Sequence, residues 1–275
     1  MKLQLFRYYL VPVQIAITND GEKLKLSKKE IMQKFFLKKI DFNTAQSECS
    51  YRFEKKIDDE IIHAFIGRKT LIEHSLKESD TFVKKKEEEW PFSNLIIDTN
   101  EGVQLLGFEV LTTNSSFRSP LYVLMFFAEE INKELSEYGW KVKIEPIINQ
   151  QAFWDVIRSS EGKIKSVKFT YYVPNLFGTE DELSKELEGA KQNYHAQKVE
   201  TNIVNDEGDL TIPNNKLISQ SVEHVGKGGG KYLIILKNLK KYRSESEVRY
   251  ASMDEAILKS DDPQVIVKMV KELLQ

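Results

Sequence analysis

The chain has 275 residues, of which 41% are hydrophobic and 11% aromatic, so it can bury a sizeable core and general disorder is excluded. Its 40 basic residues oppose 42 acidic residues, which gives a net charge of -2. A uniformly basic nucleic-acid-binding protein is therefore excluded, and any site for nucleic acid must be a local feature of the charge distribution.

The amino-terminal part, residues 3–15, carries apolar side chains on both faces of an alternating pattern, which predicts a central strand and not a signal peptide. No run of about 18 apolar residues occurs, so we expect no membrane segment and a cytoplasmic location. The single cysteine, Cys49, excludes an internal disulfide and a thiolate zinc site within one chain.

A helix is predicted from the N-cap residue Ser27 to about Ile40. Residues 50–74 then predict two long strands around a turn at Asp58–Asp59. The charged block "KKKEEE", residues 84–89, is interpreted as a solvated helix end or loop.

A β-hairpin is predicted for residues 92–110, because "TNEG" places turn residues between two apolar runs. Ser119 and Pro120 predict the N-cap and first residue of a helix that ends near residue 138. Alternation predicts strands at 140–146 and 163–173, with a short helix between them.

A domain boundary is predicted at residues 173–180, where Pro174, Asn175 and Gly178 cluster. We expect an α+β protein, with a strand-rich domain with covering helices at 1–175 and a smaller α/β domain at 176–275. The second domain is predicted to contain an acidic helix capped by Thr179, further helices near 213–225, 253–259 and 263–274, and strands near 197–205, 231–240 and 246–252.

Four glycines fall within "GKGGG", residues 226–230. The spacing fits neither G-x-x-x-x-G-K-[ST] nor G-x-G-x-x-G, and the predicted order is helix to strand, whereas phosphate-binding loops run from strand to helix. We therefore interpret the cluster as a helix stop, with Gly226 as the C-cap, followed by a strand entry.

A basic ribbon follows the glycines. From Val225 to Tyr250, seven basic residues oppose two acidic ones, for a net of +5, whereas residues 178–209 have a net of -6. Such a ribbon can follow a phosphate backbone without reading bases; the alternative is that the acidic helix neutralises it within the fold. The predicted contacts are Lys227, Gly228, Gly229, Gly230, Lys231, Lys237, Lys240, Lys241 and Arg243, with a second patch at Lys163, Lys165 and Lys168.

No catalytic constellation, metal site or cofactor site is predicted. His63 and His74 leave open a metal-independent ribonuclease, because histidine titrates near neutrality. No serine or cysteine nucleophile motif and no carboxylate pair accompanies them, so we expect isolated structural histidines and a protein that is not an enzyme.

The segments "PFSNLIIDTNEGVQLLGFEVLTTNSS" (91–116) and "VKIEPIINQQAFWDVIRSSEGKIKSVKFTYYVPN" (142–175) resemble the RexA-like exclusion proteins of lambdoid phages and the related DNA-binding component of Kiwa-type anti-phage systems. The resemblance covers about a third of the chain. It implies a cytoplasmic, dimeric protein that binds DNA with little sequence preference and takes part in phage exclusion.

The favoured hypothesis is therefore a non-enzymatic, sequence-tolerant nucleic-acid-binding protein of an anti-phage or exclusion system, with DNA preferred over RNA as the partner. Two alternatives stay open. One is the ribonuclease toxin, and the other is a protein-interaction subunit or inhibitor of a defence complex, in which the helix at 119–138 packs on a protein partner. A homodimer is compatible with each.

Overall fold

A computed structural model of the chain describes residues 1–13, 27–78, 81–110, 117, 119–173, 181–260 and 262–274. The strands are β1 (Lys2–Pro12), β2 (Ile40–Asn43), β3 (Glu48–Lys56), β4 (Ile61–Arg68), β5 (Thr70–Glu78), β6 (Thr81–Glu89), β7 (Phe92–Asp98), β8 (Leu105–Glu109), β9 (Trp140–Pro146), β10 (Ile164–Tyr172), β11 (Lys198–Val204), β12 (Gly230–Leu236), β13 (Lys241–Arg243) and β14 (Tyr250–Ser252). The helices are α1 (Lys28–Phe36), α2 (Pro120–Leu135), α3 (Gln150–Ser159), α4 (Glu182–Tyr194), α5 (Lys216–His224), α6 (Glu255–Leu258) and α7 (Pro263–Leu274). The predicted α+β class is confirmed.

The larger sheet is antiparallel, in the order β14-β1-β8-β7-β4-β3-β2, and β9 also pairs with β1. β1 is an interior strand, paired on both edges and buried on both faces from Leu3 to Val11, although it lies near one end of the sheet and not at its centre. Phe6, Tyr8 and Leu10 of β1 belong to the core that α1 and α2 cover. Leu3 and Leu5 point to the other face and belong to the core formed with α6 and α7.

The smaller sheet has the antiparallel order β11-β10-β12-β13. Its inner face carries Phe169 opposite Tyr232 and Val167 opposite Ile234, all buried. These side chains share one apolar core with residues of α3, α4 and α5. The helices therefore cover one face of this sheet, and the side chains of alternate residues point to its other face.

β5 and β6 form a separate two-stranded ladder that continues β4 and β7. The register is the same in both parts, since Gly67 faces Phe92 and Thr70 faces Glu89. The two strands, here called the arm, are half-buried to exposed throughout the described residues. The interpretation of residues 84–89 as a helix end or loop is wrong, because all six residues lie in β6.

Two of the predicted helix N-caps, Ser27 and Ser119, are confirmed. Ser27 caps α1, and its hydroxyl and the Glu30 carboxylate form a reciprocal capping box. Ser119 caps α2, with Pro120 as first residue, as predicted. Ile40 was wrongly included in the first helix and lies in β2. Thr179 lies outside the described residues, and the N-cap of α4 is Asp181, whose carboxylate accepts from the Ser184 amide at 2.7 Å.

Sheet membership divides the chain differently from a boundary near residue 175. β10 precedes that point and pairs with β11 and β12, whereas β14 follows it and pairs with β1. Residues 174–180, at the predicted boundary itself, lie outside the described residues. Within the described part of the chain, no helix has the length and apolar character needed to cross a membrane.

Candidate nucleic-acid interface

The fold brings the two predicted basic patches onto one sheet. Lys168 of β10 lies opposite Leu233 of β12, and Leu233 in turn lies opposite Arg243 of β13. Directly paired residues of antiparallel strands point to the same face, so the three side chains share the outer face. Lys231 and Lys241 also project there, because they are two residues from Leu233 and Arg243 along their strands.

Part of this positive charge is neutralised by Glu200 of β11. Lys168 Nζ lies 2.6 Å from Glu200 Oε2, and Lys198 pairs with the other carboxylate oxygen. These two hydrogen-bonded lysines lower the pKa of Glu200 to about 2. The carboxylate is therefore ionised at any physiological pH, and its single negative charge compensates one of the two lysine charges.

Other predicted cations are also paired within the chain. The pairs are Lys231 Nζ–Glu245 Oε1 at 3.5 Å, Lys165 Nζ–Asp206 Oδ1 at 3.9 Å and Lys227 Nζ–Glu223 Oε1 at 2.5 Å. The alternative prediction, that acidic residues neutralise the basic ribbon within the fold, is thus partly correct. Its acidic partners are strand, loop and α5 residues, however, and not those of the acidic helix α4.

A second group of cations has no ion pair with any described acidic residue. This group consists of Lys163, Lys237, Lys240, Lys241 and Arg243, all of which are exposed. Lys240 Nζ lies 4.7 Å from the ring centroid of Tyr242, a cation–π contact at the β12–β13 turn. The Lys237 amide donates to the Lys163 carbonyl at 2.8 Å, which joins the two predicted patches at one end of the sheet.

The glycine cluster forms the connection between α5 and β12. α5 passes into a single π-helical turn, Val225–Gly229, and β12 begins at Gly230, so a helix stop followed by a strand entry is confirmed. The C-cap of α5 is Val225 and not the predicted Gly226, and the left-handed glycine of the cluster is Gly228, at φ 84°. A Cβ on Gly228 would lie 2.9 Å from Arg7 Cβ, and a Cβ on Gly230 would collide with the Thr170 carbonyl.

Because Gly228, Gly229 and Gly230 are buried, they do not offer their amides at the surface. We therefore omit them from the contacts proposed below. The missing side chains let this segment pack closely against neighbouring segments of the protein, Gly230 against Thr170 and Gly228 against Arg7.

A cavity of about 660 Å³ lies beside the glycine cluster. Arg7, Lys227 and Arg249 line it together with the amide side chains of Asn149 and Gln150, and none of the described lining residues carries a carboxylate. Burial lowers the pKa of Arg7 to about 10, so the guanidinium stays protonated at neutral pH. All three cations also interact within the chain. The sequence signal that could have found the cavity is an arginine among the buried residues of β1.

The histidines are placed as structural residues. His63 of β4 is buried, its Nε2 lies 2.8 Å from Asn94 Oδ1, and burial lowers its pKa. His74 lies in the arm, 3.4 Å from Glu89 Oε1. His224 is buried and its Nε2–H donates to the Gly229 carbonyl at 3.0 Å.

The remaining candidate chemistry is sparse. Cys49 is buried, and burial raises the pKa of its thiol, which disfavours the reactive thiolate. Across the described ranges, no group of three or more His, Cys, Asp or Glu side chains is arranged to hold a metal ion.

The chain was compared with protein-family models, with curated proteins and with solved structures, and none of the three comparisons found a match.

Proposed function

We propose that this protein binds nucleic acid, DNA in preference to RNA, without reading base sequence. The contact surface is the outer face and adjoining edge of the sheet β11-β10-β12-β13. One observation carries the proposal: cations from two segments about 70 residues apart in sequence meet at the outer face and one end of the same sheet, and five of them have no ion pair with a described acidic residue.

The physical basis is electrostatic. Lysine and arginine side chains that replace the counterions around phosphates provide affinity that falls as salt rises and does not depend on base sequence. Lys240, Lys241 and Arg243 come from one tight β12–β13 connection, so three charges are held within a few residues of each other. Tyr242, which alternates with Lys241 and Arg243, lies opposite Ile234 and packs against the core on the helix-covered face, so its ring holds the strand in place and is not part of the contact surface.

The biological setting belongs to the same proposal. The preference for DNA and the place in a cytoplasmic anti-phage or phage-exclusion system follow from the resemblance of residues 91–175 to RexA-like and Kiwa-type proteins. The protein acts without catalysis, alone or with a protein partner of that system.

The alternative of a protein partner docked on α2 has less support. Val123, Leu124, Phe127 and Ile131 of α2 are buried in the core against the larger sheet. Met125 has 50% of its surface exposed, whereas Leu121 and Phe126 are half-buried and pack against the same core. The apolar residues of this helix therefore have a partner within the fold.

The test is a charge reversal with a matched control. We expect Lys240→Glu, Lys241→Glu and Arg243→Glu together to abolish binding of a labelled DNA duplex at low salt, as measured by fluorescence anisotropy. Lys133→Glu, Lys259→Glu and Lys268→Glu change the net charge equally at exposed helix positions, each next to a weak local ion pair, and should leave most of the affinity.

Wild-type affinity should fall linearly on a plot of log affinity against log salt concentration. Single-stranded DNA and an RNA duplex of the same length separate the DNA preference from binding itself. An absence of wild-type binding, binding independent of salt, or equal losses in the two triple variants would each overturn the proposal.

A further inference from the structure

The arm presents a long strand with one unpaired edge. β6 has nine residues and pairs with β5, and among the described residues no strand pairs with its other edge. An exposed edge of this length is a ready template for another strand. Phe82 and Trp90, at the two ends of the strand, have 79% and 40% of their surfaces exposed.

The charges along this edge are complementary to themselves. Lys84, Lys85 and Lys86 are followed directly by Glu87, Glu88 and Glu89. Lys84, Glu88 and Glu89 also have partners within the chain, in exposed pairs with Glu73, Lys69 and His74 that a second strand can share. A run of one sign would repel a second copy of the strand, which is how many proteins protect an edge. A basic half followed by an acidic half has the opposite effect, since an antiparallel copy places each half against the other.

We propose that the arm pairs with the arm of a second copy of this chain, β6 against β6, in antiparallel register. The two arms then form a four-stranded sheet around a two-fold axis. The partner at this edge is a second copy of the chain, because the basic-then-acidic order of β6 is complementary to β6 itself when the two strands run antiparallel. This interface does not depend on the proposed function.

The register follows from strand geometry. Directly opposed residues point to the same face, so a two-fold axis normal to the sheet must pass through a residue, and Lys86 and Glu87 are the central candidates. With the axis at Lys86, Lys85 faces Glu87 of the partner subunit and Lys84 faces Glu88 of the partner subunit. The two-fold axis repeats both pairs, and these four attractive contacts outweigh the one repulsion between Lys86 and its own copy. Phe82 then faces Trp90 of the partner subunit.

This register places Phe82 opposite Trp90 of the partner subunit, whereas the register centred on Glu87 would place it opposite Phe92 of the partner subunit, whose ring already packs on Phe65 within its own chain. Phe82 and Trp90 lie on the same face of β6, because they are an even number of residues apart. The two-fold axis repeats the contact, so Phe82 of each chain would stack on Trp90 of the other chain, with one such pair at each end of the paired strands. Aromatic and opposite-charge pairs are the cross-strand contacts that favour a particular register.

Charge variants test the pairing directly. Lys84→Glu, Lys85→Glu and Lys86→Glu give an all-acidic strand, and Glu87→Lys, Glu88→Lys and Glu89→Lys give an all-basic one. We expect the wild type to be a dimer by light scattering, each variant alone to be a monomer, and an equimolar mixture of the two to be a dimer again. Recovery in the mixture shows that both variants are folded and that the contact lies between chains.

Cross-linking tests the register. In a Cys49→Ser background, Lys86→Cys places two thiols opposite each other at the axis and should give a disulfide-linked dimer under mild oxidation. Glu88→Cys, two residues from the axis, should cross-link at least tenfold more slowly.

The samples are treated with nuclease, so that nucleic acid cannot bridge two chains. A monomeric wild type, association that disappears after nuclease treatment, failure of the two charge variants to associate when mixed, or equal cross-linking at residues 86 and 88 would overturn the proposed pairing.

Discussion

Lys168 Nζ on β10 lies 2.6 Å from Glu200 Oε2 on β11. This contact joins a basic strand to the acidic segment that precedes the glycine cluster in sequence. It removes Lys168 from the positive charge available to a ligand. Summing the charges along a segment of sequence therefore overestimates the net charge of the surface that the segment forms, because residues from other segments neutralise part of it.

Glu200→Gln should strengthen binding of DNA to the proposed surface. The substitution removes the carboxylate that pairs with Lys168 and Lys198, so both lysines become available to phosphates. We expect tighter binding in fluorescence anisotropy, and a steeper salt dependence, by about one unit of slope per added phosphate contact. Glu188→Gln removes an equal charge from α4, which covers the opposite face, and is the control. Equal effects of the two substitutions would contradict the placement of the site.

Gly228→Ala should destabilise the protein more than Gly162→Ala. Both glycines have positive φ, 84° and 69°, so an alanine at either position is strained by about 1–2 kcal/mol. A Cβ at Gly228 meets Arg7 Cβ at 2.9 Å, whereas one at Gly162 meets no atom within 4 Å. We expect a loss of roughly 2–5 kcal/mol for Gly228→Ala, because overpacking adds to the strain. Urea denaturation measures both, and equal losses would show that Arg7 moves aside freely.

Stability should fall as the pH is lowered from 6.5 toward 4, in part because of His224. Burial lowers its pKa in the folded protein to about 4, whereas the unfolded chain has the ordinary value near 6.5. Within this window the unfolded state binds the proton first, so acid favours unfolding, by about 3 kcal/mol at most. His224→Gln, which keeps a donor for the Gly229 carbonyl, should flatten the dependence of the urea midpoint on pH. His74→Gln in the arm is the control, and an unchanged pH dependence in His224→Gln would refute the assignment.

His63 should have no part in RNA cleavage. Its ring is buried in β4, hydrogen-bonded to Asn94, and its pKa is lowered, whereas His74 lies on the separate ladder of the arm. We expect labelled RNA to stay intact when it is incubated in EDTA with the wild type. The wild type and His63→Ala should give the same amount of cleaved RNA, no more than a sample without protein. Cleavage that His63→Ala abolishes, without loss of folding by circular dichroism, would establish the ribonuclease alternative instead.

Local signals in the sequence predicted much of the secondary structure. Ser27 and Ser119 start helices because their hydroxyls accept hydrogen bonds from free amides of the first turn, an interaction between close neighbours in sequence. Alternation identified β9 and β10 for the same reason, since the period of a strand is a local property. The block at residues 84–89 was misassigned because its charges give no alternation, and its strand depends on pairing with β5.

For the candidate site, the sequence identified individual cations and not their surroundings. Lys240, Lys241 and Arg243 were predicted and remain without a described counter-charge, whereas Lys165, Lys168 and Lys231 have acidic partners. Arg7 and Arg249 were missed, because the cavity that they share with Lys227 is formed by segments distant in sequence.

The sequence by itself determined the α+β class, the helix starts, the buried first strand and the exclusion of a nucleotide-binding loop at the glycines, because each depends on spacing between near neighbours. Only the tertiary structure decided which charges are compensated, which glycines are buried, and that residues 163–168 and 231–243 come together in one sheet. These properties depend on contacts between segments far apart in the chain, and neither composition nor periodicity encodes which distant segments meet.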